Sequence, residues 1–329
     1  MRDIETLLFE TEAIRVAPED RPFWYTSGTL GPFYCNTHFL FGGEEAAGEL
    51  LSLIDGALAR EDRTPLPCAI ANLAGRRFAS GGAYREAVDA MTGYLAVNVD
   101  MDGVGVISGG ERRDWFFSYA AAVRFGKAHL TIFKDRSALY TDADPLQEAA
   151  GGLFVISSAG TAGSAGTTGT AGSAGAAKST QEAPSVGSTR AASAADLAGR
   201  RVLHVCDLVT EASSFKRAWA PALERLGARI GDSLAIVDRL QGGGEALASL
   251  GIRHHALATI DAGLFGRALA AGRIDARQHR QLLRYIADPN GAMRAFMAER
   301  PRFIEDAIAS GGKDAERARL CLESGVYRA

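Results

Sequence analysis

Cysteine is scarce in this chain of 329 residues, and it never occurs in pairs. The four cysteines, Cys35, Cys68, Cys206 and Cys321, are widely separated and form no CxxC spacing. Zinc sites and dense disulfide frameworks depend on such spacing, so neither kind of site is expected here. The scattered thiols fit a reducing compartment, and we therefore expect a cytoplasmic protein.

A charge excess and a long apolar run are lacking as well. The formal net charge is −3, from 36 basic and 39 acidic residues. A basic field for nucleic acid or for a membrane surface is therefore not expected, and any anionic ligand must be held by local residues. The first residues, MRDIETLLFETEAI, are charged and amphipathic, so we expect neither a signal peptide nor a membrane span.

One stretch has almost no large side chains. The segment from about 157 to 195 consists mainly of Ala, Gly, Ser and Thr, as in AGTAGSAGTTGTAGSAGAA. Such residues bury little apolar area, which predicts a disordered insertion over residues 157–196. The insertion would divide one domain, with its first half in residues 1–156 and its second half in residues 197–262.

Short β-prone runs alternate with helical patterns on both sides of the insertion. Strands are predicted at 68–72, 105–108, 129–133, 201–206 and 234–237, and helices at 4–12, 47–59, 84–95 and 214–226. This order is typical of an α/β fold in which a parallel sheet is flanked by helices. Helix signals alone follow from residue 263 onwards, which predicts a helical C-terminal extension over residues 263–329.

The first candidate site follows the strand predicted at 201–206. Asp207 comes directly after it, and Thr210, Glu211, Ser213 and Ser214 form a polar turn before a helix. Ligands of open parallel sheets bind beyond the carboxyl ends of the strands. Hydroxyl and N–H groups there can cradle a phosphate, and a carboxylate can hold ribose hydroxyls or bridge to Mg²⁺. A plain Ser/Thr helix cap is the simpler alternative.

The second candidate site follows the strand predicted at 105–108. Gly109 and Gly110 lead into Arg112 and Arg113, and the fork of an arginine suits bidentate contacts with phosphate or pyrophosphate. A solvated charged loop is the alternative. A dinucleotide site is not predicted, because Ser108 stands at the third glycine position and no helix is expected to open at this turn.

The third candidate site follows the strand predicted at 234–237. Asp238 and Arg239 precede a glycine run at 242–244. An acid and a base at a strand end can recognise a polar ring, and the alternative is an ion pair that fixes the turn.

Taken together, these segments resemble the orotate phosphoribosyltransferases of the type I phosphoribosyltransferase family. FWYTSGTLGPFYCN, residues 23–36, is similar to the family's Ser-Gly-x-x-Ser-Pro-x-Tyr segment, which belongs to a hood over the base. DRLQGGGEAL, residues 238–247, is similar to the family's signature after a late strand. The resemblance spans about residues 4–260 and implies an N-terminal hood on a parallel sheet. It also implies a homodimer, Mg²⁺, and transfer of ribose 5-phosphate from phosphoribosyl pyrophosphate to a pyrimidine-like base.

The resemblance implies roles for individual residues. It gives catalytic roles to Asp207 and Lys134, with Asp207 also meeting Mg²⁺ through the metal-bound donor. The residues implied to bind the donor are Thr210, Glu211, Ser213, Ser214, Gly109, Gly110, Arg112 and Arg113. The residues implied to bind the base are Phe33, Tyr34 and Arg239.

The chain also departs from the family pattern. Cys206 replaces the first of two acids, Glu211 and Ala212 stand where Thr and Gly are expected, and Asp114 replaces a glycine. Two unit charges about 4 Å apart repel by about 4 kcal/mol at an effective dielectric of ~20. Glu211 must therefore turn outward, occupy the phosphate position itself, or exclude a phosphorylated ligand.

The mobile catalytic loop of the family is changed too. Its Lys-x-His-Gly pattern is missing, and Lys178 is the only lysine in the insertion. The alternative to an active transferase is therefore a catalytically lapsed protein with the same fold that senses a base or a nucleotide.

Overall fold

The computed structural model of this protein describes residues 2–152 and 189–327. Residues 157–188 of the insertion that was predicted to be disordered lie outside the described residues. Its last part is ordered, because Thr189–Ala191 forms a strand and Ala194–Leu197 forms a short helix. The predicted boundary at 196 is therefore too late. Within the described residues, no helix is both long and apolar enough to cross a membrane.

Seven strands form the central sheet, and four strands of two or three residues come earlier in the chain. In chain order they are β1 (Ile14–Val16), β2 (Phe23–Trp24), β3 (Leu30–Gly31), β4 (Phe33–Cys35), β5 (Val104–Gly110), β6 (Ala128–Ile132), β7 (Ala138–Thr141), β8 (Thr189–Ala191), β9 (Arg201–Val209), β10 (Ile230–Asp238) and β11 (Arg253–Thr259). The order across the sheet is β11-β10-β9-β5-β6-β7-β8. Strands β11 to β6 are parallel, and β7 and β8 are added antiparallel at one edge.

Helices cover both faces of this sheet. In chain order they are α1 (Ile4–Glu10), α2 (Glu44–Leu58), α3 (Leu66–Ala79), α4 (Ala83–Asn98), α5 (Trp115–Phe125), α6 (Ala143–Ala149), α7 (Ala194–Leu197), α8 (Ala220–Arg225), α9 (Gly243–Ser249), α10 (Ala262–Ala270), α11 (Ala276–Ala287), α12 (Pro289–Glu299), α13 (Phe303–Ser310) and α14 (Gly312–Ser324). One face packs in a core with Ile70 and Phe116, and the other packs in a second core with Leu223 and Leu247. The predicted α/β fold with a largely parallel sheet is confirmed.

Two expectations about local structure were wrong. The strand predicted at 68–72 lies inside α3, where Leu66, Ile70, Ala74 and Phe78 are buried at intervals of four residues and face the core. A helix does open after β5, because Asp114 is the N-cap of α5. Residues 115–123 of α5 are all buried, and this helix packs against both β5 and β9.

The N-terminal hood and the C-terminal helices pack against each other. Strands β1 and β4 pair antiparallel, as do β2 and β3, which makes two small sheets. The predicted helical extension is present as α10–α14. Trp24 of the hood stacks on Phe303 at 5.7 Å between ring centroids, and the Leu30 N–H donates to the Tyr327 hydroxyl at 2.7 Å. The extension therefore packs directly against the hood.

Candidate functional site

A cleft of about 320 Å³ opens beyond the carboxyl ends of β5 and β9. These strands are parallel neighbours in the middle of the sheet, so the turns that leave them meet at one edge. The cleft is lined by residues 111–114, Lys134, residues 206–210, residues 212–215 and Trp219. The first two turns singled out in the sequence thus face one common space.

Asp207 is the buried acid of this cleft, with 8% of its surface exposed. Its Oδ2 atom accepts a hydrogen bond from the Thr37 hydroxyl at 2.7 Å. Burial, and next the charge of Asp114, raise the pKa of Asp207 to about 7. Thr37 begins a 3₁₀ turn that directly follows the hood segment, and its role here was missed in the sequence because it lies 170 residues from Asp207.

Asp114 connects the two strands at the floor of the cleft. Its Oδ1 atom accepts from the Asp207 N–H at 3.1 Å, and its Oδ2 atom accepts from the Gly110 N–H at 3.0 Å. The Nε2 atom of the fully buried His204 lies 3.3 Å from the same carboxylate. The His204 Nδ1 atom lies 2.9 Å from the Ser108 hydroxyl. The acid that stands in place of a glycine is therefore part of a buried polar network.

The basic residues of the cleft differ in how far they are already paired. Arg112 forms an ion pair with Asp55, and the Lys134 Nζ atom lies 3.7 Å from the Glu111 carboxylate. Arg113 is exposed, and it makes no ion pair in the part of the chain that the structure describes. Arg113 is therefore the arginine best placed to meet an anion in the cleft.

Hydroxyl groups supply the opposite side of the cleft. Thr210, Ser213 and Ser214 belong to its lining, whereas Glu211 is exposed and is not part of that lining. Of the three possibilities for Glu211, the outward orientation is the one found. Ala212 has φ of +54°, a left-handed backbone that glycine adopts without strain. The turn therefore keeps a conformation suited to glycine although an alanine occupies it.

Gly109 and Gly110 are the last residues of β5 and do not line the cleft. A Cβ atom at Gly110 would lie 2.2 Å from the Trp219 ring, and one at Gly109 would lie 2.2 Å from the Ser118 hydroxyl. The Gly110 N–H is already bound to Asp114. These glycines permit close packing. The structure does not place them in the lining of the cleft, where the resemblance implies that they bind phosphoribosyl pyrophosphate.

The expected base-binding residues lie beside the cleft rather than in its lining. Phe33 is buried, with 3% of its surface exposed, and the Arg239 guanidinium lies 5.4 Å from its ring centroid. The Tyr34 hydroxyl donates to the Trp24 carbonyl at 2.5 Å. Neither Phe33 nor Tyr34 belongs to the lining of the cleft, although the resemblance implies that both bind the base. Trp219 lines the cleft instead, a residue that the sequence motifs did not single out.

No protein-family model matches the chain. Among solved structures, the chain is similar to UMP synthase from Leishmania donovani, with 12% identity, a TM-score of 0.45 and coverage of 86% of this chain and 41% of that chain. It thus spans less than half of that enzyme. For orotate phosphoribosyltransferase from Aeropyrum pernix the identity is 16%, the TM-score 0.39 and the coverage 80% and 98%. For the Francisella tularensis orotate phosphoribosyltransferase the identity is 10% and the TM-score 0.44, with coverage of 85% of this chain and 95% of that chain.

Proposed function

We propose that the protein is a phosphoribosyltransferase of the orotate type, which transfers ribose 5-phosphate from phosphoribosyl pyrophosphate to a pyrimidine-like base. One observation carries the proposal. The hydroxyl turn after β9, the arginine turn after β5 and the buried Asp207 line a single cleft at the carboxyl edge of a parallel sheet. That combination suits a ligand with a phosphate at one end, a ribose diol between, and a second anionic group at the other end.

The two ends of such a donor would meet different side chains. Thr210, Ser213 and Ser214 offer hydroxyl donors for the ribose phosphate. Arg113 and Lys134 offer positive charge for the pyrophosphate, and charge placed where the leaving group develops its own charge lowers the barrier of transfer. Because Glu211 lies outside the lining of the cleft, its carboxylate does not oppose the phosphate at close range.

Mg²⁺ fits the acidic side of the cleft. Asp207 and Asp114 are adjacent carboxylates, and their mutual repulsion contributes to the raised pKa of Asp207. Carboxylate oxygens are ligands that Mg²⁺ prefers, and a divalent cation would relieve that repulsion. Asp207 would hold the metal, and the bound metal would neutralise pyrophosphate charge.

The second candidate is a catalytically lapsed protein that senses a base or a nucleotide. Two of the three basic groups in the cleft favour it, because Arg112 is paired with Asp55 and Lys134 lies beside Glu111. A protein with only Arg113 unpaired would hold pyrophosphate weakly. The base-side residues would remain usable in either case.

Calorimetry with phosphoribosyl pyrophosphate and Mg²⁺ separates the two candidates. The wild type is expected to bind the donor, and Arg113→Gln is expected to weaken binding about tenfold or more, since a hydrogen bond to a charged group contributes about 1.5–3 kcal/mol. Arg60→Gln, at an exposed arginine outside the cleft, is the matched control. Absence of donor binding by the wild type would reject the transferase.

An activity assay completes this test. Orotate, uracil and purine bases are each supplied with the donor, and release of pyrophosphate is followed. Turnover with a pyrimidine is expected. Donor binding without turnover of any base would leave the sensor as the better account. The resemblance also extends the proposal to a homodimer, for which sedimentation of the whole chain gives the mass.

A further inference from the structure

Arg239 presents a buried hydrogen-bond donor that has no acceptor. The backbone N–H of Arg239 is not that donor, because it donates to the Val209 carbonyl at 2.9 Å and fixes the backbone where β10 ends. Its guanidinium lies over the Phe33 ring. The Nε atom is buried, and it has no hydrogen-bond partner in the described ranges 2–152 and 189–327. A buried donor without a partner is costly, so an acceptor on a ligand would recover free energy at this point.

Tyr25 and Tyr285 both contact Phe33, the residue whose ring this guanidinium covers. Burial raises the pKa of Tyr25 and of Tyr285, and the charge of Arg239 acts against that rise at both phenols. The Tyr25 hydroxyl donates to the Phe33 carbonyl at 2.5 Å. A phenol both donates and accepts hydrogen bonds. Arg239 therefore lies among groups that can read the polar edge of a planar ring.

The Arg239 cluster, formed by Arg239, Phe33, Tyr25 and Tyr285, adjoins the cleft at Val209. The Val209 carbonyl accepts the hydrogen bond from the Arg239 backbone at 2.9 Å, and Val209 lines the cleft. A base held near Arg239 would thus lie next to a donor held in the cleft.

The C-terminal extension supplies part of this cluster. Tyr285 of α11 meets the Phe33 ring edge-on at 6.0 Å between centroids, and Phe265 of α10 lies 5.5 Å from the same ring. Tyr285 is buried, with 8% of its surface exposed. Of these two aromatic side chains from the extension, only Tyr285 carries a hydroxyl.

We infer that Tyr285 is a specificity-determining residue of the base site, acting beside Arg239 and Tyr25 to select a planar ring that carries a carboxylate or adjacent carbonyl oxygens. The inference rests on the proposed function and deepens it. It gives the helical extension a direct part in substrate choice.

The test compares Tyr285→Phe with the wild type and with Tyr327→Phe. Tyr285→Phe keeps the ring against Phe33 and removes only the hydroxyl, so the fold is expected to persist. Tyr327→Phe removes a different hydroxyl of the same extension, the one that accepts a hydrogen bond from the Leu30 backbone N–H. The measured quantities are the KM for orotate, uracil and adenine, kcat, and the Kd for phosphoribosyl pyrophosphate with Mg²⁺.

Tyr285→Phe is expected to raise the KM for orotate about tenfold, the loss of one hydrogen bond to a charged group. The Kd for phosphoribosyl pyrophosphate and kcat should stay unchanged in Tyr285→Phe. Tyr327→Phe should leave the KM for orotate, kcat and this Kd unchanged. Preference for orotate over adenine should fall by the same factor. An unchanged orotate KM, or equal losses in donor and base binding, would overturn the inference.

Failure of the proposed function would look different. A wild type that binds no donor would reject the transferase. Calorimetry with orotate alone would then decide on Tyr285, since weaker orotate binding by Tyr285→Phe would uphold its role in base selection. Equal orotate binding by both proteins, or none by either, would overturn that role as well.

Discussion

Asp207 is held where ionisation is costly. It is buried beside Asp114, and its pKa rises from the ordinary 3.8 to about 7. An acid whose pKa is raised in the fold favours folding when it is protonated, and that contribution is lost as the pH rises through the folded pKa. We therefore expect Asp207 to reduce stability progressively from about pH 4 to about pH 7.

Asp207→Asn should remove this penalty. The difference between 3.8 and about 7 corresponds to about 4 kcal/mol, so the variant should be more stable than the wild type by that order at pH 8 and nearly equal to it at pH 4. Denaturant unfolding at both pH values measures the difference. Asp102→Asn, at an exposed carboxylate, is the matched control variant. Equal stability of Asp207→Asn and wild type at pH 8 would contradict the prediction.

The turn after β9 allows a second prediction about single residues. Ser213→Ala is expected to weaken donor binding about tenfold, because the hydroxyl would lose a bond to a charged phosphate. Glu211→Thr should change donor binding by no more than about twofold, as is usual for surface positions. Calorimetry with phosphoribosyl pyrophosphate compares the two variants. A large gain of affinity in Glu211→Thr would mean that the carboxylate reaches the cleft after all.

The sequence located the acid of the cleft but not the groups that hold it. Asp207 could be placed because it follows the apolar run that makes up most of β9. Thr37 and Asp114 lie 170 and 93 residues away from it, and no local pattern links such positions. The role of Arg113 could be anticipated from its chemistry. The pairing of Arg112 with Asp55 could not, since it depends on where α2 comes to lie.

At the scale of elements, the sheet and a helical turn that covers it are in close contact at Gly110. The π-helical turn Phe215–Trp219 places the Trp219 ring against the last residue of β5, where a Cβ atom would lie 2.2 Å from it. Such a separation cannot be accommodated unless one of the elements moves. Because Trp219 lines the cleft, the width of the cleft depends on the absence of a side chain at Gly110.

Gly110→Ala is expected to destabilise the protein by about 1–3 kcal/mol, the usual cost of overpacking a close contact. Gly244→Ala serves as the control, because a Cβ atom there meets nothing within 4 Å. Thermal and denaturant unfolding give the two differences. Gly110→Ala with the stability of the wild type would show that Trp219 moves aside at no cost.

The elements of the central sheet were predicted better than the others. Strands β5, β6, β9 and β10 are short apolar runs bounded by glycine or charged residues, so their positions could be predicted. The run at 68–72 was misassigned because a run of five residues, four of them apolar, fits either period, and only the wider spacing through Phe78 identifies α3. Strand β11 was missed because its outer residues, Arg253, His254 and His255, are polar at the sheet edge.

At the scale of the whole molecule, the extension completes the hood. Trp24 and Phe33 are buried partly by Phe303, Phe265 and Tyr285, all from the C-terminal helices. The guanidinium of Arg317 also donates to the Trp24 carbonyl at 3.0 Å. Removing the extension would therefore uncover large aromatic side chains of the hood.

Deletion of residues 262–329 is expected to give a protein that aggregates or unfolds without cooperativity, because exposed apolar patches of this kind associate. Size-exclusion chromatography and the thermal unfolding curve provide the readout. The full chain carrying Tyr327→Phe should remain folded and lose about 1 kcal/mol, the value of one hydrogen bond. A monomeric deletion variant with an unchanged melting temperature would contradict this prediction.

The covering of Trp24 and Leu30 by residues 303–327 has a consequence for biosynthesis. Ribosomes add about 5–20 residues per second, so some 15–60 s separate these early strands from the helices that shelter them. During that interval these hood strands of the nascent polypeptide lack the helices that bury them in the folded protein. Chaperones that hold apolar segments would be needed at the exit tunnel until the last helices have been made.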